Sequence, residues 1–205
     1  MNSKLISLKK KLIDQQSKRN VYQEQFEEYQ KMKIDQEQRY EYAQKARIII
    51  SEVAKKTQQL IEIQISTLVS SCLAAVFPSP YEFQLRFVQR RNKTEADLIF
   101  IKNGKETDDI LFIGGGGVAD VAANIAFPLA IWSIRKTRNV MLLDEPTKFI
   151  HSSEYQERAS QLIKEVSEKM KLQFIIISDQ NSIAKNADRI FNVKLLKGIS
   201  QVKVL

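Results

Sequence analysis

The part of the chain best suited to chemistry is an apolar run that ends in two adjacent acids. Residues 140–143 have the composition of a buried strand, and Asp144, Glu145 and Pro146 follow them. Mg²⁺ needs few protein carboxylates when phosphate oxygens complete its coordination, and the carboxyl end of a parallel strand is where ligands collect. We therefore interpret Asp144 as a metal-binding residue and Glu145 as a base that polarises water for attack on a phosphoryl group. The alternative is an acid pair on a solvated loop before a helix.

Four consecutive glycines form a second candidate site: Gly114, Gly115, Gly116 and Gly117. They stand directly before an apolar helical segment, so bare amides and the positive end of a helix dipole are expected to approach a phosphate. Downstream, the apolar run "QFIIISD" ends in polar residues that include Asp179. Because parallel strands bring their carboxyl ends to one edge, Asp179 is expected near the acid pair.

The elements that must position these residues can be read from apolar periodicity. After Gly117, two short apolar strands alternate with helices, which indicates a parallel sheet covered on both faces. Before the glycines, "YEFQLRFVQRR" and "ADLIFIKNGKE" predict an antiparallel β region, with a tight turn at Asn103-Gly104. Further short strands are expected in "RIFNVKLL" and "SQVKVL". The predicted fold class is α/β with a small antiparallel β region.

The first part of the chain predicts one long helix. It holds no glycine or proline before Pro78, and nine of fourteen positions on a seam from Leu5 to Ile50 are apolar or aromatic. From Ile48 the apolar face widens, as in a helix that enters a globular body. We therefore divide the chain into a coiled-coil helix, residues 1–47, and a globular domain, residues 48–205. The prolines of "FPSPY" should end the helix.

Composition restricts the classes of function. The chain carries 32 Lys and Arg against 24 Asp and Glu, with a pI near 9.5, which favours a polyanionic partner such as DNA. The candidate phosphate contacts are Arg86, Arg90, Arg91 and Lys93 beside the predicted hairpin, and Lys9, Lys10 and Lys11 on the coil. The alternative is that the hairpin charges protect an exposed strand edge.

Other classes of protein are excluded or disfavoured. Cys72 and His151 are the only residues of their types, so disulfide scaffolds and histidine-dependent metal clusters are excluded. No stretch has the form of a signal peptide or comes near the roughly 20 apolar residues of a membrane span. We therefore expect a cytoplasmic protein, associated with DNA or the nucleoid, without a membrane partner.

In this order, the segments resemble the C-terminal half of an ABC-type ATPase head, and the coiled coil narrows the resemblance to the SMC and SbcC-like branch. That branch works on DNA breaks and chromosomes, and the glycine-rich loop looks closest to phage recombination ATPases. The resemblance implies that Asp144 is the Mg²⁺-associated aspartate of a Walker B motif and Glu145 the catalytic glutamate. It places the signature loop at 114–117 together with residues 118–120, contacting the γ-phosphate of ATP on an opposite head, and Asp179 at the switch position.

The resemblance therefore implies ATP and Mg²⁺ as cofactors, and a second ATPase head, DNA and a nuclease subunit as partners. The phosphate loop of such proteins, GxxxxGK followed by Ser or Thr, does not occur in this sequence. We expect another chain or a preceding segment to supply it, so the chain alone is not expected to hydrolyse ATP. The signature serine is also missing. The loop after the acids, "TKFIHSS", matches the family's D-loop, which crosses the interface between two heads, and His151 stands about where that loop often has aspartate. Pro128 lies inside the predicted signature helix, at a cost of about 3 kcal/mol unless a kink accommodates it.

Three hypotheses follow. The first is an ATPase subunit for DNA repair, recombination or chromosome maintenance that contributes to a composite ATP site. The second is a coiled-coil scaffold with a vestigial head, favoured by the altered signature and switch positions. The third, the ATP-binding subunit of a transporter, is disfavoured by the long leading coil.

Overall fold

The long helix predicted from the sequence is present and runs through two compact units. The computed structural model describes residues 2–79 and 81–205, with side chains from residue 5 onward. The units are Met1–Lys56 and Thr57–Leu205, and helix α1, Asn2–Val76, belongs to both. The domain boundary predicted between residues 47 and 48 stays a prediction, because it falls inside this continuous helix.

The first unit is helix alone. At about 1.5 Å per residue, the 75 residues of α1 extend roughly 110 Å. Four ion pairs along it join residues four apart, the spacing that stabilises an isolated helix: Lys18–Asp14, Lys33–Glu37, Arg39–Asp35 and Lys45–Glu41. The apolar side chains of the predicted seam are exposed along this helix. Their pairing with a second helix stays a prediction.

The antiparallel region forms as predicted. Strands β1 (Glu82–Arg90), β2 (Lys93–Lys102) and β3 (Lys105–Thr107) pair in chain order. Two-residue turns join them, at 91–92 and 103–104, and all four turn residues have positive φ, as a type I′ turn requires. Helix α1 ends at Val76, with Pro78 two residues beyond; the prediction for Pro80 lies outside the described residues.

The outer edge of β1 is covered by α1. Three helix side chains spaced four residues apart accept amide hydrogens from alternate strand residues: Glu62 from Phe87 (2.6 Å), Ser66 from Leu85 (2.9 Å) and Ser70 from Phe83 (2.9 Å). The two repeats match, since four helical residues advance about 6 Å and two strand residues about 6.7 Å. An edge that would otherwise present unpaired amides is thereby satisfied within the chain.

A bent helical segment follows the antiparallel sheet. It consists of α2 (Ile110–Asp120), a π-helical turn (Val121–Ala126) and α3 (Phe127–Ile134). In the π-helical turn, the Phe127 amide bonds to the carbonyl of Ala122, five residues back. Pro128 therefore stands in the first turn of α3, directly after the wide turn, where its missing amide is tolerated. The structure thus accommodates the proline that the sequence marks as costly.

The α/β part is a two-stranded parallel sheet with its crossover helix. Strand β4 (Val140–Asp144) leads through α4 (Ser153–Met170) to β5 (Gln173–Ile177), followed by the short α5 (Asn181–Ala184). The chain ends in an antiparallel hairpin, β6 (Phe191–Leu196) and β7 (Ile199–Val204), closed by a turn at Lys197-Gly198 with positive φ at both residues. Every strand expected from the sequence is present.

The parallel sheet is covered on one face only by the described residues. Leu143 on the inner face is 8% exposed, whereas Leu142 and Ile177 on the outer face are 74% and 65% exposed. Val140 and Ile175 share that outer face. The prediction of a sheet covered on both faces is therefore wrong for the outer face. An all-apolar strand indicates that both of its faces are buried, but it does not indicate whether the same chain or another one covers them.

The hydrophobic core joins the end of α1, the antiparallel sheet and the bent helix. Leu73, Phe83, Ile125 and Leu129 are almost completely buried within one cluster. The Phe83 ring lies 5.1 Å, centre to centre, from the rings of both Phe100 and Phe127. Aromatic pairs at this separation add about 0.5–1.5 kcal/mol each to the free energy of area burial.

Two helical segments each contain a stretch that is more apolar than the sequence analysis predicted. Within Leu5–Val76 and within Ile110–Ile134, an 18-residue window meets the length and composition of a membrane span. Both segments also supply residues to the hydrophobic core, which core helices with such a composition do as well. The expectation that no window comes near this composition is therefore wrong.

Candidate functional site

The acid pair lies at the carboxyl edge of the parallel sheet. Asp144 is the last residue of β4, opposite Ile177 at the end of β5, and it is exposed, whereas Leu143 before it is buried. Alternation along the strand explains this, since successive side chains point to opposite faces. The carboxylate of Asp144 is thus available to solvent where the two strands end together.

Glu145 turns the chain away from the sheet. Its φ of 47° lies in the left-handed region, which is uncommon for a residue with a side chain. Its amide still bonds to the carbonyl of Ile177 at 2.9 Å, so the turn begins one residue beyond the ladder. Pro146, buried behind it, prevents the strand from continuing. A strained residue at a strand end is a feature that recurs at functional sites.

The Glu145 carboxylate is held by the loop after β5. The backbone amide of Asp179 donates to Oε1 at 3.2 Å, and the Ser178 hydroxyl lies 3.4 Å from Oε2 in a donating geometry. The structure therefore brings together Glu145 and Asp179, as predicted from the strand ends. The bond from Asp179 uses its backbone, while its side chain is exposed at the same edge.

The described residues contain no group of three or more His, Cys, Asp or Glu that is able to hold a metal ion. Asp144 thus offers a carboxylate without a surrounding protein cage. Mg²⁺ is the cation that suits such a donor set, because it retains waters and takes phosphate oxygens alongside one or two carboxylates. The residues present are therefore compatible with Mg²⁺ bound together with a nucleotide.

The glycine quartet, residues 114–117, breaks the helix in which it lies. Asp109 caps the first turn of α2 by accepting the amides of Leu111 and Phe112, at 2.9 and 3.2 Å. At Gly115, φ is 69° and ψ is −176°, a conformation that is essentially restricted to glycine, and helical geometry resumes after it. The sequence predicts that the quartet stands before a helix. In the structure a capped helical turn precedes it, and the helix after the kink begins at Gly116, so only Gly114 and Gly115 stand before that helix.

The quartet contacts the turn that follows the acids, which we call the 147–150 turn (Thr147 to Ile150). A Cβ on Gly116 would lie 2.9 Å from Cβ of Phe149, and one on Gly117 would lie 3.3 Å from the Phe149 carbonyl oxygen. Only glycine permits this approach at Gly116. The contact joins the quartet to the turn after Glu145, whereas the Glu145 carboxylate itself faces the loop after β5.

Asp120 is a site residue whose role the sequence did not show. Its carboxylate, 7% exposed as a residue, accepts the amide of Phe149 at 2.6 Å and a weaker bond from the Asn124 side chain at 3.4 Å. Burial raises the pKa of Asp120, and this is only partly offset by the Phe149 amide and the charge of Lys148. The sequence feature that could have indicated this role is the position of Asp120 as a lone acid within the apolar stretch after the glycines.

The same turn is held on its other side by Gln180. The fully buried Thr147 donates through Oγ1 to Oε1 of Gln180 at 2.6 Å, and Nε2 of Gln180 donates to the Thr147 carbonyl at 3.0 Å. The Ile150 carbonyl accepts from Nε2 of Gln156 on α4 at 2.6 Å. His151, at the end of the turn, is exposed and borders a cleft of about 310 Å³ that Gly114 and Gly117 also line.

The four candidate phosphate contacts beside the hairpin fall into two groups. Arg86 makes two bonds to Glu106, at 2.9 and 2.8 Å, and Arg90 makes two to Asp97, both at 2.7 Å. Hydrogen bonds to these carboxylates raise the pKa of both arginines. Arg91 is the first residue of the β1–β2 turn and Lys93 is the first residue of β2, and both are exposed. Two of the proposed phosphate contacts are therefore already engaged with acids of the same sheet.

Comparison with known proteins agrees with this architecture, although no protein-family model matches the chain. The DNA double-strand break repair Rad50 ATPase of Archaeoglobus fulgidus is 28% identical over 124 residues, which cover 58% of this chain and 13% of the relative. This chain thus spans only a small part of that protein's length.

Solved SMC structures share the fold. An SMC ATPase structure from a study of ATP-driven dimerization and DNA-stimulated activation has 25% identity and a TM-score of 0.56, covering 74% of this chain and 88% of that one. The Smc head domain of Pyrococcus furiosus, with an extended coiled coil and bound to the C-terminal domain of ScpA, has 24% identity and a TM-score of 0.57. It covers 69% of this chain, which spans 34% of that structure.

The likeness to phage recombination enzymes stays a prediction. In chain order, a long helix is followed by a mixed α/β domain. A Rad50 ATPase is a sequence relative and SMC heads are structural neighbours. The chain is therefore similar to the C-terminal half of an SMC/SbcC-like ABC-type ATPase.

Proposed function

We propose that this chain contributes to a composite ATP site in a DNA repair, recombination or chromosome-associated ATPase. The carrying observation is the acid pair at the carboxyl edge of the parallel sheet, with Asp144 exposed and Glu145 oriented by the Asp179 amide and the Ser178 hydroxyl. In this proposal the pair forms a Walker B motif, and a phosphate loop comes from another chain or from a segment outside this sequence. The exposed outer face of the β4–β5 sheet supports the need for such a partner.

The proposed roles follow from charge and geometry. Asp144 would hold Mg²⁺ through its exposed carboxylate, and Mg²⁺ would supply charge compensation at the phosphates. Glu145, held by two donors, would accept a proton from the attacking water. The glycine quartet would offer its backbone to the terminal phosphate bound by a second head. Such a protein would work in the cytoplasm on DNA, and a nuclease subunit is a further proposed partner.

Replacing the base tests this proposal. We expect the complex of this chain with a phosphate-loop chain to hydrolyse ATP, and Glu145→Gln to lower kcat by about 10²- to 10⁴-fold, because the amide cannot accept the proton. ATP binding should persist in the variant. Steady-state hydrolysis and equilibrium nucleotide binding are the measurements.

Glu154→Gln is a matched control, since Glu154 is an exposed acid of α4 paired only with Arg158. It should leave kcat within about two-fold of the wild type, as expected of a surface acid. Turnover of the chain alone, or full activity in Glu145→Gln, would contradict the proposed composite site.

A scaffold with a vestigial head is the second candidate, and Asp179 favours it. Its exposed carboxylate lies at the edge where a terminal phosphate would bind, and like charges at close range repel. The same experiment separates the two functions. A stable complex that binds its partner but shows no turnover, in wild type and Glu145→Gln alike, selects the scaffold.

DNA contact is proposed for the tip of the β1–β2 hairpin. Because Arg86 and Arg90 are paired with acids, we expect Arg91 and Lys93 to make the phosphate contacts. Replacing both by alanine should reduce the slope of log affinity against log salt by about one per lost contact. Arg86→Ala is the control and should change the slope less. Equal effects of the two variants would contradict this assignment.

A further inference from the structure

A continuous hydrogen-bonded path joins the 147–150 turn to the candidate base. At one end the Gln180 side chain pairs with both the hydroxyl and the carbonyl of Thr147, at 2.6 and 3.0 Å. The backbone amide of Gln180 donates to Oγ of Ser178 at 3.1 Å, and that hydroxyl is directed at the Glu145 carboxylate, 3.4 Å away. Asp179, between them, donates its own amide to Glu145 at 3.2 Å.

The path continues on the other side of the turn. Asp120 accepts the Phe149 amide at 2.6 Å, and Gly116 packs against the Phe149 side chain so closely that a Cβ would stand 2.9 Å from it. A displacement of the glycine quartet therefore has to move the 147–150 turn. Thr147 is fully buried, so a shift of the turn changes its pairing with Gln180 rather than being absorbed by solvent.

The chemistry of the amide group suits this position. A glutamine side chain presents one acceptor and one donor in fixed geometry, and here each has a partner on Thr147. A glutamate would place a second acceptor against the Thr147 carbonyl, and a methionine would fill the space without either bond. Both bonds therefore form only when the 147–150 turn is in place and in this orientation.

We propose that Gln180 is a positioning residue that couples the 147–150 turn, and through it the glycine quartet, to the orientation of the Glu145 carboxylate. The proposal deepens the proposed function and rests on it for the catalytic consequence. The coupling itself is a property of this chain. Contact of a second head with the quartet would be transmitted to the base along this path.

The first test measures the coupling without turnover. In the full chain within its complex, Thr147→Val removes the hydroxyl at one end while keeping the shape of the side chain. We expect amide hydrogen exchange at Asp179, at the other end, to accelerate at least five-fold, and Gln180→Met to do the same. Asn181→Ala, at an exposed neighbouring position that begins α5, is the control and should leave this exchange rate unchanged. Unchanged exchange at Asp179 in both variants overturns the proposal.

The second test separates positioning from general stability. We expect Gln180→Met and Gln180→Glu to lower kcat for ATP about ten-fold or more, with KM unchanged. Both variants leave groups of the buried Thr147 without their partner and so also lower the thermal midpoint, whereas Ser70→Ala, which removes a buried bond elsewhere, should lower the midpoint and leave kcat unchanged. Combined with Thr147→Val, Gln180→Met should cause no further loss, because both changes cut the same path. Losses of kcat that multiply, or that follow the thermal midpoint, would show a merely structural role and overturn the proposal.

The two levels of failure are distinguishable. A complex with no ATPase activity, but with faster exchange at Asp179 in Thr147→Val, contradicts the proposed function and supports the coupling. An active, Glu145-dependent complex whose Gln180 variants retain full kcat contradicts the coupling and leaves the proposed function standing.

Discussion

At the scale of single residues, the buried polar side chains are paired. Among the described residues, no buried side-chain nitrogen or oxygen lacks a hydrogen bond. Glu145 shows that such pairing can require an unfavourable backbone conformation. It adopts a left-handed backbone conformation, at a cost of about 1–3 kcal/mol, and in return its carboxylate faces two donors at the strand edge.

Cys72 gives a prediction at this scale. Burial raises the pKa of its thiol to about 11, from 9.0 in the exposed state. The folded state therefore keeps its proton while the unfolded state loses it above pH 9, so this group makes the protein less stable as pH rises from 9 to 11. The loss is about 2 to 3 kcal/mol over that range. Urea denaturation of wild type and Cys72→Ala across these pH values measures it.

The comparison needs no further control, since the difference in unfolding free energy between wild type and Cys72→Ala contains only the titration of Cys72 as its pH-dependent part. Because Cys72 is the only cysteine, a thiol reagent at pH 8 should also label the folded chain far more slowly than the unfolded chain. Rapid labelling of the folded chain, or a difference that does not change with pH, would show that the thiol is accessible.

At the scale of elements, helix α1 and strand β1 are joined by side chains rather than by a sheet ladder. Ser70 Oγ accepts the Phe83 amide at 2.9 Å and lies 3.3 Å from the Phe83 carbonyl oxygen. Phe83 is 1% exposed, so its amide has no access to solvent if the serine is removed. The base of the long helix is thereby fixed in register against the antiparallel sheet.

We expect Ser70→Ala to lower the free energy of unfolding by about 1–3 kcal/mol, the cost of leaving a buried amide without a partner. Ser71→Ala is the matched control. Its hydroxyl bonds only to the Thr67 carbonyl on the exposed side of the same helix, so the change should stay within about 0.5 kcal/mol. Urea denaturation followed by Trp132 fluorescence reports both. Equal losses in the two variants would show that the β1 edge does not need this bond.

The bent helix shows a second relation between elements. The widened turn at 121–126 comes directly before Pro128, and the helix containing both carries Asp120 to the amide of Phe149. A wide turn also rotates the residues that follow it relative to those before it. The π-helical turn thus accommodates the proline and at the same time orients α3 for its packing in the core.

At the scale of the whole molecule, the described residues leave apolar surfaces uncovered besides the seam of α1, and two of them lie in the second unit. One is the outer face of the β4–β5 sheet. The other is the C-terminal hairpin, where the apolar side chains of both strands are exposed, including Phe191, Val193, Leu195 and Val202 at 56–71%. Surfaces of this kind mark contacts with other protein segments.

We expect the purified chain to self-associate, because the edge strands and the outer face of the parallel sheet offer both hydrogen bonds and apolar area. Leu142→Lys with Ile177→Lys should reduce association by placing charges on that face. Gln59→Lys with Gln161→Lys adds the same charge at exposed helical sites and serves as the control. Sedimentation velocity over a range of concentrations measures the effect. A sharp, stable wild-type monomer would contradict the prediction.

Much of the fold was predictable because its signals are local. Alternation in β1, the Asn103-Gly104 turn and the long stretch without glycine or proline each specify a conformation from a few neighbouring residues. The acid pair was also predictable, since a strand end followed by Asp144, Glu145 and Pro146 places the carboxylates without knowledge of the rest. The local reading failed at Gly115, where a capped turn and a kink replace a simple helix start.

The sequence by itself determined the elements, their order and the chemistry available at the strand ends, because propensity and periodicity act over short stretches. Only the tertiary structure decided that Asp120 meets Phe149, that Gln180 pairs with Thr147 and that α1 covers the edge of β1. These partners lie 13 to 33 residues apart in the chain. Their contact depends on how the elements pack, and no short-range pattern encodes that.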